Sequence, residues 1–163
     1  MTEAHRLSFD RLPSMGASYI RALLGGKGKG LAAGETIGRI EATIRSVQPN
    51  PQQVANYRRV CGFIDSPQLP VTYPHVLAVP LHLAVITSAP FPLPTLGLVH
   101  VSNQIIEHRT IGAHETMRMH CWVEGHREAR KGVEFDLITE IDIDGERVWQ
   151  STTTCLSLTG KTQ

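Results

Sequence analysis

Several features that assign a chain to a class are scarce in this sequence. Only three of its 163 residues are cysteines, and Cys61, Cys121 and Cys155 are far apart with no CxxC pair. This pattern favours free thiols in a reducing cytoplasm over a zinc site or a disulfide framework. Basic blocks are also missing, and the formal net charge is +1. Because binding to a phosphate backbone requires clustered Lys and Arg, nucleic acid is not expected as a partner.

Long apolar segments are scarce as well. The longest apolar run, residues 76–86, is interrupted by Pro80 and His82 and is too short to span a bilayer. The first residues, Met-Thr-Glu-Ala-His-Arg, lack the apolar centre of a signal peptide. We therefore expect a cytoplasmic protein without a membrane partner. A hydrophobic fraction of 41% over 163 residues is typical of one globular domain with a sizeable core.

The chain divides by composition into an N-terminal extension, residues 1–34, and a domain, residues 35–160. Leucine, isoleucine and tyrosine between Leu12 and Leu24 predict a short helix before Gly25. Residues 25–30 read Gly-Gly-Lys-Gly-Lys-Gly. This segment lacks the Gly-Lys-Ser/Thr ending of a phosphate-binding loop, and no apolar strand precedes it, so a linker is the favoured interpretation.

Two helices are predicted in the first half of the domain. Asn50 can cap a helix that starts at Pro51 and stops at Gly62, with Cys61 on its buried side. Residues 72–78 are expected to be extended or irregular. A buried helix is then expected over residues 80–88, because this segment is apolar all round and Pro80 suits a first helical position.

The second half of the chain has a β-like pattern. Asp144-Gly145 is a strong signal for a two-residue hairpin turn. Alternation predicts one face of the sheet on the core, and a second face that carries Trp122 and Trp149 among polar residues. Such edges and aromatic side chains need covering, so at least a dimer is expected. The five predicted strands are residues 36–47, 96–106, 116–124, 133–143 and 148–158.

Four stretches then resemble a known family. These are Tyr-Arg-Arg-Val-Cys-Gly-Phe (57–63), Leu-Pro-Val-Thr-Tyr-Pro-His-Val-Leu-Ala-Val-Pro-Leu (69–81), Gly-Leu-Val-His-Val (97–101) and Gly-Glu-Arg-Val-Trp-Gln-Ser (145–151). Over roughly residues 10–158 the chain resembles the MaoC-like acyl-CoA hydratases and dehydratases, most closely the N-terminal half of their double-hot-dog members. The resemblance implies an α+β hot-dog fold, in which a five-stranded antiparallel sheet wraps around one buried helix. It also implies an acyl-CoA-type thioester as the substrate and no further cofactor.

The chain departs from the catalytic motif of that family, Gly-Asp-x-Asn-Pro-x-His. Its nearest match runs from Gly62 to Pro70, where Asp65 is displaced from the glycine and Pro70 replaces the histidine. The resemblance therefore implies a substrate-accommodating subunit in a heteromer whose hot-dog partner brings the Asp/His pair. Two alternatives remain open. One is an autonomous homodimeric hydratase or thioesterase that uses His75, and the other is a binding or scaffold protein without thioester chemistry.

His75 is the main candidate for catalysis, since it precedes the predicted buried helix, whose N-terminal amides would stabilise an oxyanion. Tyr73 could assist as a donor, and Asp65 is a weaker candidate base. A purely structural role is the preferred interpretation, in which Tyr73 and His75 hydrogen-bond to backbone carbonyls and Asp65 forms a turn. The candidate substrate-binding residues are Val76, Leu77, Ala78, Val99 and Asn103.

The remaining histidines suggest no metal site. His100 and Asn103 lie on the second predicted strand and, at odd spacing, are expected to face opposite sides. Four further histidines recur every six residues, but turn signals separate them, and three or four converging ligands are needed to bind a metal. These four are His108, His114, His120 and His126.

Overall fold

The computed structural model describes residues 4–24, 28 and 30–158, so positions 25–27 and 29 of the predicted linker lie outside the described residues. Its helices are α1 (Met15–Leu24), α2 (Pro51–Cys61) and α3 (Tyr73–Ile86). None of these described helices is both long and apolar enough to cross a membrane. The strands are β1 (His5–Phe9), β2 (Ile40–Val47), β3 (Leu98–Glu107), β4 (Met117–Val123), β5 (Arg127–Ala129), β6 (Gly132–Ile143) and β7 (Glu146–Leu158).

The strands form one sheet around α3, which confirms the predicted α+β fold. Along the sheet the order is β1, β2, β4, β6, β7, β3, and β5 pairs with β6 beside β4. Apart from the parallel pair of β1 and β2, neighbouring strands are antiparallel. The β6–β7 hairpin turns at Asp144 and Gly145, both with positive φ, as the sequence predicts.

The sheet has seven strands rather than the five that the sequence predicts. The first additional strand, β1, comes from the N-terminal extension and pairs with β2, with the His5 amide donating to the Arg39 carbonyl at 2.9 Å. The second, β5, lies in a segment whose charges predict a turn. There Arg127 forms ion pairs with Glu134 and Asp136 on β6, which hold the short strand in place.

Helix α2 has the predicted ends. The Asn50 side chain accepts from the amides of Gln52 and Gln53, and Gly62 ends the helix in the left-handed conformation at φ 74°. The prediction for Cys61 is wrong, because its side chain is exposed. The core covers Val54 and Arg58 on this helix but does not extend to its last residue.

Helix α3 begins seven residues, about two turns, before the predicted start. Residues 73–78 are helical rather than irregular, Pro74 lies in the first turn, and Pro80 is inside the helix rather than at its start. A proline in the first turn is tolerated because its amide position has no acceptor within the helix. At Pro80 one backbone hydrogen bond is lost, but packing of the buried helix against the sheet outweighs that loss.

The inner face of the sheet carries the core. Met117, Met119, Cys121 and Val123 of β4 are all fully buried on that face, as their alternation predicts. Trp149, however, is fully buried in the core, where its indole N–H donates to the Val71 carbonyl at 2.8 Å, so its predicted position on the outer face is wrong.

The outer face is covered by its own charged side chains. Trp122 lies there, as predicted, and the His120 ring stacks on it at 4.8 Å. The Arg39 guanidinium lies 4.9 Å from the Trp122 ring centre and forms ion pairs with Glu41 and Glu124. Surface arginine and carboxylate groups thus shield this aromatic side chain.

A β-bulge in β3 changes the direction of its side chains. The register slips between His100 and Ser102, so that His100 lies opposite Cys155 and Asn103 lies opposite Thr153. Because Thr153 and Cys155 are two residues apart on β7, His100 and Asn103 face the same side of the sheet. The prediction that they face opposite sides is therefore wrong.

Candidate functional site

The first turn of α3 has an open N-terminal end. Thr72 occupies the capping position but makes no side-chain bond to the helix. Its hydroxyl instead bonds to the Tyr57 hydroxyl at 2.8 Å, and Pro74 has no N–H. The Tyr73 amide donates to the Pro70 carbonyl, so the His75 amide is the donor in the first turn that remains available at this helix end, where the helix dipole also favours negative charge.

Three histidines meet beside this helix end. His75 and His82 are seven residues apart on α3, about two turns, and their ring centres are 5.4 Å apart. His100 comes from β3 and stacks on His75 at 6.2 Å, because the bulge directs it inward. Two consecutive elements thus place three imidazoles within a small space.

His82 is the most buried of the three. Its Nε2 atom lies 2.7 Å from the Thr139 hydroxyl of β6, which in turn lies 3.3 Å from the Cys121 sulfur. Burial, with smaller contributions from His75 and His100, lowers the pKa of His82 to about 3. Burial also raises the pKa of the Cys121 thiol to about 12, so both groups are neutral at pH 7.

His75 is half-buried, and one of its ring nitrogens lacks a hydrogen-bond partner among the described residues. This nitrogen, the Nδ1 atom, is buried. Burial and the neighbouring His100 lower the pKa of His75, so at neutral pH its ring can accept a proton. Within the described part of the chain no carboxylate lies within 4 Å of it, so no acidic group orients the ring.

The other two predicted catalytic residues are separated by the fold. Tyr73 is buried two positions before His75, where its ring meets Tyr57 edge-on at 5.2 Å and burial raises the pKa of its hydroxyl. Asp65 is exposed in the loop after α2 and lines a separate cleft beside Arg58. Across the described residues no hydrogen bond joins Asp65 to Tyr73 or His75.

The predicted substrate-binding residues fall into two groups. Val76 on α3 and Val99 on β3 are exposed, whereas Leu77 and Ala78 are buried in the core. Asn103 is half-buried and accepts a bond from the Thr153 hydroxyl at 3.2 Å. Val76 and Val99 are thus accessible to a ligand, and their role in binding stays a prediction.

The sequence reasoning did not select His82, Thr139 or His100 as site residues. The signal for His82 is its spacing of seven from His75, which places both on one helix face once the segment is recognised as helical. Thr139 could not be found in this way, because it reaches the site only through sheet pairing. Among residues 4–24, 28 and 30–158, no group of three or more His, Cys, Asp or Glu side chains is arranged to hold a metal ion.

Comparison with known proteins relates the chain to acyl-thioester enzymes. No protein-family model matches it. The 3-hydroxyacyl-thioester dehydratase X of Mycobacterium tuberculosis is 31% identical over 114 residues, which are 70% of this chain and 41% of that protein. The crystal structure of HtdX of Mycobacterium tuberculosis matches with a TM-score of 0.69 at 30% identity, over 72% of this chain and 51% of that chain. The HadBC (3R-hydroxyacyl-ACP dehydratase) complex of the same organism matches with a TM-score of 0.62 at 15% identity, over 74% of this chain and 96% of that chain.

The buried helix, the wrapped sheet and these structural matches define the class, and the chain is a hot-dog protein. Within that class it is related to 3-hydroxyacyl-thioester dehydratases, which confirms the predicted resemblance to the MaoC-like hydratases and dehydratases. The chain spans about half the length of the relative that it matches at 30–31% identity.

Proposed function

We propose that this chain binds an acyl-CoA-type thioester as the substrate-accommodating subunit of a cytoplasmic hot-dog hydratase or dehydratase. A second hot-dog subunit then supplies the Asp/His pair, and no cofactor beyond the CoA thioester is needed. The observation that carries the proposal is the open first turn of α3, with His75 beside it and no carboxylate within 4 Å in the described residues.

The open helix end suits a thioester carbonyl. As an α-proton is removed or added, negative charge collects on the thioester oxygen, and preorganised amide donors stabilise it. The His75 amide could donate a hydrogen bond to that oxygen, while the exposed Val76 would contact the acyl chain.

Hydration also needs a base for water and an acid for the α-carbon. This end of α3 offers neutral imidazoles but no acid to complement them. The nearest motif residue, Asp65, lies in another cleft, and Pro70 stands where the family has histidine. One subunit therefore provides the thioester pocket without a complete catalytic pair.

The exposed edge of the sheet suits the missing subunit. Strand β3 is one edge of the described sheet, ten residues long. Its Val99, Val101 and Ile106 side chains are each at least 42% exposed. An unpaired apolar edge of this length readily adds another strand. A second hot-dog subunit paired along β3 would place its own pocket close to His100. The name of HadBC describes such a protein as a complex.

A second candidate function is an autonomous hydratase or thioesterase that works through His75. The lowered pKa of His75 favours it, since a ring that is neutral at pH 7 can act as a base. Its buried Nδ1 atom has no hydrogen-bond partner among the described residues, so an ordered water could bind it there.

The test titrates the purified chain with crotonyl-CoA and with a longer enoyl-CoA, recording both the heat of binding and the loss of enoyl absorbance. We expect binding without turnover by the chain alone. Turnover is expected after addition of a hot-dog subunit that carries the Gly-Asp-x-Asn-Pro-x-His motif.

Two variants separate the candidate functions. Turnover by the chain alone that disappears in His75→Ala, but persists in the control His108→Ala at an exposed histidine, would establish the autonomous enzyme instead. Absence of any binding, with or without the second subunit, would reject both functions and leave a scaffold protein.

A further inference from the structure

A cleft of about 430 Å³ lies along α2 and the loop that follows it, and none of the three histidines lines it. Its volume is within the range of small-ligand pockets. The side chains that line it and could contact a ligand are Gln52, Asn56, Arg58, Arg59, Phe63 and Asp65.

Arg58 is a buried cation without a counter-charge. Only 9% of it is exposed, and one of its terminal nitrogens donates to the Gln68 carbonyl. Its Nε atom is buried without a partner, and no carboxylate within the described ranges lies within 4 Å of the guanidinium. Because an isolated buried charge is unfavourable, the cleft is built to receive an anion.

Arg59 adds a second cation at the same cleft. Its Nη2 atom donates to the Asn56 side-chain oxygen at 3.3 Å, and the side-chain amide of Gln52 donates to that same oxygen at 3.4 Å. Arg59 is exposed and, like Arg58, forms no ion pair with the described residues. With Asp65 as the one lining carboxylate, the cleft has a net charge of +1.

Phe63 provides a flat surface next to the two arginines. Its side chain is 41% exposed, and its ring is held by stacking on Tyr57 at 6.0 Å with an angle of 19°. An exposed, fixed aromatic ring accepts a nucleobase by stacking. Guanidinium groups bind phosphate through paired hydrogen bonds. A phosphate-bearing nucleotide matches both features.

Aromatic rings connect the cleft to the first turn of α3. Phe63 stacks on Tyr57, and Tyr57 meets Tyr73 at 5.2 Å, two residues before His75. The cleft is thus linked by packing to the helix end that is proposed to bind the thioester carbonyl.

We infer that the α2 cleft binds the adenine nucleotide end of coenzyme A, with phosphates on Arg58 and Arg59 and the base on Phe63. Asp65 would accept a hydrogen bond from the adenine amino group or a ribose hydroxyl. This inference rests on the proposed function and extends it, because it favours a CoA thioester over a thioester on a carrier protein.

The test compares crotonyl-CoA with crotonyl-pantetheine, which has the same thioester but no nucleotide, by calorimetric titration of the full chain. We expect crotonyl-CoA to bind more tightly. Arg59→Gln should weaken the binding of crotonyl-CoA by about tenfold, the loss typical of one charged hydrogen bond. The affinity for crotonyl-pantetheine should not change. Arg45→Gln, which removes an exposed arginine on β2, is the control for net charge. Arg59 is preferred to Arg58 for the variant because it is exposed and its loss does not disturb the core.

Several outcomes would overturn the inference. One is equal affinity for the two thioesters, and another is an Arg59→Gln variant that weakens both alike. Full affinity for crotonyl-4′-phosphopantetheine would mean that a phosphate rather than a nucleotide is recognised. If neither thioester binds, the proposed function fails. A titration with adenosine 3′,5′-bisphosphate then tests separately whether the cleft binds a nucleotide. If this nucleotide binds and Arg59→Gln weakens its binding, the cleft is a nucleotide site. If it does not bind, the nucleotide site is rejected.

Discussion

Inside the core, the Nε2 atom of His82 lies 2.7 Å from the hydroxyl of Thr139, so helix α3 and strand β6 are joined by a buried polar contact. The His82 ring is neutral in this contact at pH 7, because burial keeps its pKa at about 3 against an ordinary value of 6.5. Between these values the unfolded chain binds a proton that the folded chain does not. Stability is therefore complete above pH 6.5 and decreases as the pH falls.

The first prediction concerns this pH dependence. The free energy of unfolding should fall between pH 6.5 and 5 by up to about 1.4 kcal/mol per pH unit from His82. The lowered pKa of His75 adds to the slope in the same direction. Urea unfolding at several pH values measures how the free energy of unfolding depends on pH. His82→Leu should flatten the slope, whereas an unchanged slope in that variant would show that His82 is not its source; His108→Gln is the matched surface control.

The second prediction concerns the N-terminal cap of α2. The Asn50 side-chain oxygen accepts from the Gln52 amide at 3.0 Å and the Gln53 amide at 3.1 Å. Asn50→Ala removes this acceptor and should reduce the free energy of unfolding by about 1 kcal/mol. Asn50→Asp keeps an acceptor and should lose much less. Equal losses in the two variants would contradict the capping role.

The third prediction concerns Trp149. Replacement by phenylalanine leaves the Val71 carbonyl without its donor and opens a space in the core, and it should cost about 2–4 kcal/mol of stability. Trp122→Phe, on the outer face, should cost less than 1 kcal/mol. Thermal unfolding of the two variants compares them. The tryptophan fluorescence of Trp122→Phe should be blue-shifted relative to the parent, because only the fully buried Trp149 remains.

The fourth prediction concerns the β3 edge. If a second subunit pairs there, Val101→Lys should prevent association, because a lysine on an edge strand disfavours strand addition. Sedimentation velocity of the chain, alone and with its hot-dog partner, measures the effect. Leu158→Lys introduces the same charge at an equally exposed apolar residue on β7 and serves as the control. An association that survives Val101→Lys but not Leu158→Lys would place the interface elsewhere.

The local ends and faces of the elements could be predicted from sequence. Asn50 and Gly62 marked α2, Asp144 and Gly145 marked a hairpin, and the alternation in β4 identified its buried residues. These features depend on one residue and its near neighbours along the chain. Hydrogen bonding of a cap, positive φ in a turn and a period of two are all local physics.

The start of α3 was mispredicted because two local rules competed with packing. Pro74 and Pro80 both argued against a continuous helix, yet the segment is helical throughout. A helix buried on all sides is stabilised by its contacts with the sheet more than by its own backbone bonds. The error moved His75 out of the helix and concealed its alignment with His82.

The sequence by itself determined an α+β fold with an apolar central helix, and it carried the likeness to hot-dog hydratases. The tertiary structure decided which side chains meet. The bulge at Val101 turns His100 toward His75, sheet pairing brings Thr139 to His82, and the α2 loop takes Asp65 away from both. These juxtapositions join residues 25 to 57 positions apart, so only the folded backbone could set them.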